Sequence, residues 1–166
     1  APDHKGPISH GLSLLGVAGL TAYHGLINVA EIHAGETLLV SAAAGSVGSI
    51  VGQIGRIKGA RIIGVAGGEA KCRWVERELG FDVCINYKSE DRSLRDRLQA
   101  AAPNGVDVYF DNTGGDILQT ALFAMNFGVW LGLRATVSQR LPATRLRSRS
   151  RPRLDASVRR QRPGHE

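Results

Sequence analysis

The stretch Val40-Ser41-Ala42-Ala43-Ala44-Gly45-Ser46-Val47-Gly48-Ser49 joins an apolar run to a segment of helical periodicity, and almost every residue in it is small. An apolar run, a turn with little side chain and a helix in that order form a strand–turn–helix unit. Within it, Ala43-x-Gly45-x-x-Gly48 is a variant of the dinucleotide fingerprint, with alanine at its first position. Gly45 then lets the chain approach a pyrophosphate without a Cβ in the way, and Gly48 lets the helix pack closely on the strand. The amides from Ser46 through Val47 to Gly48 open the helix and are free to donate to phosphate oxygens, assisted by the helix dipole.

Outward from this unit the chain alternates strand and helix signals, which predicts an α/β domain with helices on both faces of a parallel sheet. A helix is expected over 17–30, a strand over 36–42 and the fingerprint helix over 46–58, closed by Gly59. A strand over 60–66 and a helix over 69–79 follow, with Gly80 as the stop. Next come a short strand over 83–86, a charged helix over 91–102 ending before Pro103, and a strand over 106–111. A helix over 116–126 leads to a fifth candidate strand at 129–133. The expected fold is an incomplete doubly wound, Rossmann-like sheet of four or five strands. With 166 residues and 43% hydrophobic content, the chain can bury one ordinary core.

The net charge of +6 belongs to one segment. Ten of the 21 basic residues are arginines between Arg134 and Arg162, opposed there only by Asp155 and Glu166, so residues 1–133 are slightly acidic. Around RLRSRSRPR, Arg145 to Arg153, there is too little apolar surface to offset ordering entropy, and this tail should be disordered in isolation. The division expected is a lead-in over 1–11, a nucleotide-binding domain over 12–133 and a basic tail over 134–166. The tail could contact nucleic-acid phosphates, but it has no aromatic residues and no base-reading element, which makes nucleic acid an unfavoured partner.

Cys72 and Cys84 form neither a metal-ligand pattern nor a disulfide framework, so a reducing, cytoplasmic setting is expected. No secretory signal opens the chain. The uncharged stretches 11–30 and 37–55 carry enough glycine and polar residues to read as buried elements rather than membrane spans. The five histidines place no two on one helical face, and no metal site is expected. No nucleophile–base pair is evident, and no catalytic residue is assigned. Asp107 and Asp111 share one face of their strand.

A second cofactor signal lies where the 60–66 strand runs into Gly67-Gly68-Glu69-x-Lys71. The glycine pair clears room for a 2′-phosphate and Lys71 supplies its counter-charge, which favours NADP over NAD. Two alternatives stand beside this: Glu69 as a ribose ligand, and Lys71 as a solvated residue of the helix's first turn.

The segments LGVAGLTAYHGL, GETLLVSAAAGSVGSIVGQIGRIKGARIIGVAGGEAKCRW, LGFDVCINYKSED and GVDVYFDNTGGDIL, spread in order over residues 12–128, resemble medium-chain, zinc-independent dehydrogenases/reductases. The similarity is to the branch of prostaglandin reductase, leukotriene B4 dehydrogenase and NADPH-dependent curcumin reductase. The resemblance implies that Gly45 to Gly48 hold the pyrophosphate, that Lys71 and Tyr87 approach the 2′-phosphate, and that Asn112 faces the cofactor. It also makes Asp107 and Asp111 a structural feature near the cofactor crevice. Outside the resemblance, Tyr87 reads as a packing residue, whereas the place of Asn112 at a strand's carboxyl end suits a ligand crevice on its own. The resemblance further implies NADPH-dependent reduction of the carbon–carbon double bond of an α,β-unsaturated carbonyl compound. Such relatives carry a separate N-terminal β-rich domain that shapes the substrate pocket, so this chain alone is expected to be inactive. A catalytically silent nucleotide-binding module is the alternative. After Gly128 the sequence departs from the branch, and the arginine tail looks like translation in a shifted frame. An incomplete sheet would leave an edge through which copies could pair as a homo-oligomer.

Overall fold

The computed structural model describes residues 14–133, which form five parallel strands and five helices. In chain order these are α1 (Val17–Tyr23, running into a π-helical turn over His24–Val29), β1 (Thr37–Ser41) and α2 (Ser46–Ile57). Then follow β2 (Arg61–Ala66), α3 (Glu69–Arg77), β3 (Val83–Asn86) and α4 (Leu94–Ala101). β4 (Val106–Asp111), α5 (Gly115–Ala124) and β5 (Met125–Leu133) complete the unit. The sheet order is β3-β2-β1-β4-β5 with every pairing parallel. This is the doubly wound arrangement that the alternation of strand and helix signals predicts. The tail and its expected disorder lie outside the described residues.

The apolar strands are unbroken because they are covered twice. Leu38, Val40, Ile62, Val108 and Phe110 enter a core with Ala22 and Leu26 of the first helical segment, Val47 and Val51 of α2 and Val75 of α3. Leu39, Ile63, Val65, Ile85 and Tyr109 enter a second core, against Leu98 and Ala101 of α4 and Ala121 of α5. The chain therefore crosses the sheet between β3 and β4. On either side of that crossing lie the neighbours β1 and β4, whose following helices leave toward opposite faces.

Close backbone approach sets how α2 sits on the sheet. A Cβ on Gly48 would stand 2.3 Å from the Ala42 carbonyl oxygen, and one on Gly52 would enter the Phe81 ring. The methyl group that Ala43 places at the first fingerprint position is housed beside Gly64, where a Cβ would meet it at 2.8 Å.

Several boundaries differ from expectation for local reasons. The first helix widens at His24, where Ala30 N–H reaches back to the Gly25 carbonyl and Gly25 lies against Phe110. α4 begins at Leu94 rather than 91 because the Ser93 hydroxyl accepts from the Asp96 amide and caps the helix there. α5 ends at Ala124 and β5 starts at once, with the Asn126 amide donating to Asp107 Oδ1 at 2.9 Å.

Candidate functional site

The carboxyl ends of β3, β2, β1 and β4 lie side by side along one rim of the sheet, and each residue singled out from the sequence follows one of them. At the centre is the turn from β1 into α2. Gly45 is the residue before the helix, in extended backbone (φ −83°, ψ 170°) that any residue adopts. It is exposed, and a Cβ there would meet only Ala42, its carbonyl oxygen at 3.0 Å. That one contact is tight, and a side chain there would otherwise meet open space. No side chain caps α2, which leaves the Ser46, Val47 and Gly48 amides without partners inside the helix. The Val47 side chain is buried in the core, so only its backbone faces the turn.

On one side of this turn, β2 ends at Ala66 and Gly67 follows it. A Cβ on Gly67 would touch the Tyr87 ring at 3.0 Å, and the Tyr87 amide donates to the Ala66 carbonyl. Gly67 and Tyr87 are thus brought together, with the ring 44% exposed. Asn86 organises the same corner: its Oδ1 accepts from the Gly68 amide at 2.8 Å and its Nδ2 donates to Glu69 Oε1 at 2.9 Å. Lys71 is exposed on the first turn of α3 and makes no ion pair among the described residues. Glu69 is engaged and Lys71 is free, a difference the spacing alone could not reveal.

On the other side, β4 ends in a buried polar cluster. Asp111, 1% exposed, accepts from the hydroxyls of Ser41 (2.9 Å) and Tyr109 (2.8 Å) and from the amides of Thr113 and Gly114 (3.0 Å each). Burial would raise its carboxyl, but the bonds from Gly114, Thr113, Tyr109 and Ser41 more than offset this and hold it below its ordinary value. Burial pushes the Tyr109 phenol up, so that group stays protonated and donates. Ser41 in turn accepts from the Asn112 amide at 2.7 Å, and the Asn112 side-chain nitrogen donates to the Ser41 carbonyl at 2.8 Å. Asn112 Oδ1 is screened from solvent and has no partner among the described residues. Asp107, at the other end of β4, accepts from the Thr37 amide at 2.9 Å and is structural, as expected.

Sequence reading passes over Ser41 and Asn86 as site residues. The available signal was weak: Ser41 and Asp111 are each the one polar residue closing an otherwise apolar strand end.

The rim offers unpartnered helix amides, an open Gly68, an exposed ammonium and a buried acceptor without a partner, a set of polar groups that fits a nicotinamide dinucleotide. Among the described residues no three of His, Cys, Asp and Glu converge to hold a metal ion. No helix among them is long and apolar enough to cross a membrane.

Residues 46–147 match the family model described as zinc-binding dehydrogenase. Prostaglandin reductase 1 of Bos taurus is 50% identical over 119 residues, 72% of this chain and 36% of that protein. The NADPH-dependent curcumin reductase of Escherichia coli (strain K12) is 45% identical over 124 residues, 75% of this chain and 35% of that protein. The crystal structure of CurA in complex with NADPH from Vibrio vulnificus superposes with a TM-score of 0.72 at 43% identity, covering 76% of this chain and 38% of that one. The resemblance read from the four sequence segments is borne out. The chain spans about a third of the length of the curated relatives it matches.

Proposed function

The chain belongs to the zinc-binding dehydrogenase family, and from that premise we propose that residues 12–133 form the NADP(H)-binding unit of a reductase acting on the carbon–carbon double bond of alkenals and enones. The observation that carries the reading is the uncapped amino end of α2, whose Ser46, Val47 and Gly48 amides have no partner inside the helix. Pyrophosphate there would be held by the Ser46 to Gly48 amides. Tyr87 packs over Gly67 at the end of β2 and Gly68 beside it is open; there Lys71 and Tyr87 would meet the 2′-phosphate, and Asn112 would face the nicotinamide half. When bound, the reduced nicotinamide supplies a hydride for the β-carbon of the unsaturated carbonyl compound. The described residues orient the cofactor, and no catalytic role is assigned among them. They also do not fit the zinc of the family's name, and no step is routed through a metal.

The free thiols of Cys72 and Cys84 favour the reducing, cytoplasmic setting included in this reading. Pairing of copies along β5, the strand at the opposite end of the sheet from β3, belongs to it as well. A catalytically silent nucleotide-binding module is the second reading, since every site residue gathered on the rim fits the cofactor.

Titration calorimetry with NADPH and NADH tests the cofactor assignment, with tighter binding of NADPH expected. A charged hydrogen bond contributes about 1.5–3 kcal/mol, so Lys71→Ala should weaken NADPH roughly tenfold or more and leave NADH nearly unchanged. Equal losses would defeat the 2′-phosphate assignment. Loss of NADPH absorbance with a simple alkenal would assign reductase activity to this chain itself, binding without turnover is expected of a cofactor-binding unit alone, and no binding overturns both readings.

A further inference from the structure

Sheet order fixes which part of a dinucleotide meets which strand end. With pyrophosphate at the end of β1 and the 2′-phosphate over β2 and β3, the nicotinamide riboside must extend over β4, one strand spacing of about 4.8 Å away. We propose that Ser41 and Asp111 are positioning residues for that half of the cofactor: they fix the two lips of the crevice against each other and set the orientation of the Asn112 amide. The inference rests on the cofactor reading above.

Ser41 immediately precedes the turn into α2, and Asp111 immediately precedes the turn into α5. Their bond therefore ties one lip to the other. The Ser41 hydroxyl has one proton and gives it to Asp111, which leaves its lone pairs for the Asn112 amide. The Asn112 side-chain nitrogen is spent on the Ser41 carbonyl, so Oδ1 is the atom left over. Asp111 also holds Thr113 and Gly114, which fixes the loop that carries Asn112. A buried acceptor without a partner is costly, and this fold keeps one at the rim of the crevice on a half-buried residue. A hydroxyl or carboxamide N–H of the nicotinamide riboside supplies the missing donor.

The test compares NADPH with adenosine 2′,5′-bisphosphate, which lacks the nicotinamide riboside, by calorimetry on the full chain. Ser41→Ala should weaken NADPH roughly three- to tenfold, the net contribution of about one hydrogen bond, and leave the bisphosphate within about twofold. Asn112→Ala should show the same selective loss without lowering the melting temperature of the ligand-free protein, and it carries the test if Ser41→Ala does not fold. Equal losses for both probes would mean a general disturbance and overturn the positioning role, as would unchanged NADPH binding in both variants. Failure of the unsubstituted chain to bind either probe would instead remove the cofactor reading itself, and this proposal with it.

Discussion

Two turns of this protein look alike in sequence and differ in chemistry. Both follow an apolar strand that closes on a polar residue, Ser41 or Asp111, and both lead through glycine into a helix. In the β1–α2 turn, the Ser46, Val47 and Gly48 amides are unspent. In the β4–α5 turn, the Asn112 amide is taken by Ser41, and the Thr113 and Gly114 amides are taken by Asp111. The second turn already holds a carboxylate where the first can receive an anion. Glycine content therefore does not mark an anion site; the destination of each backbone hydrogen does.

The largest effect should come from damaging the seat of the first turn. Gly48→Val drives a branched side chain into the Ala42 carbonyl, and overpacking of this kind costs typically about 1–3 kcal/mol. Urea unfolding should show that loss together with lost NADPH binding, and a fully stable variant would mean that α2 is not held by close approach. Gly45→Val separates fold from ligand at the same turn: calorimetry should find NADPH binding lost with a smaller fall in melting temperature than Gly48→Val causes, because its Cβ would meet the Ala42 oxygen at 3.0 Å rather than 2.3 Å. Retained affinity would reduce the motif to an ordinary connection.

Acid titration probes the second turn. Because the Asp111 carboxyl lies below its ordinary value in the folded protein, its stabilising contribution is complete above about pH 4. That contribution is lost as pH falls from there through the depressed native value. Asp111→Asn should flatten the acid limb of stability against pH by up to about 1.4 kcal/mol per pH unit, and an unaltered limb would show that the carboxylate is not held as described. The smallest effect on cofactor binding is expected at Gly114, where φ is +69° with ψ −156° and a Cβ would meet nothing. Gly114→Ala should cost about 1–3 kcal/mol from strain in backbone that only glycine readily adopts and leave NADPH affinity within about twofold, in contrast to Gly45→Val.

The strands were legible because burial on both faces writes them as apolar runs; β3 and β4 begin and end at the residues read from sequence. The starts of α2 and α3 were legible because glycine turns precede them. The start of α4 was hidden, since 91–93 is as polar as the helix it precedes and only the Ser93 hydroxyl marks the boundary. The end of α5 was hidden too, because its apolar residues carry no stop signal before β5. The site divides in the same manner. Gly45 to Gly48 and Gly67 with Lys71 are local patterns with a meaning in one dimension. The Ser41–Asp111–Asn112 cluster joins residues 70 and 71 apart in sequence, and no periodicity announces a partnership at that distance.

That separation also bears on the order in which the molecule assembles. β1, β2 and β3 are linked through successive strand–helix units, whereas β1 meets β4 only after the whole intervening chain has been gathered in, at a loop-closure cost that local contacts do not bear. Pulse-labelled hydrogen exchange during refolding should find the β1–β2 amides protected before those of β4. Residues that secure the β1–β4 seam at its two ends, Asp107 on Thr37 and Asp111 on Ser41, would then act chiefly by slowing its reopening, and the crevice between the two strands exists only once that seam has closed.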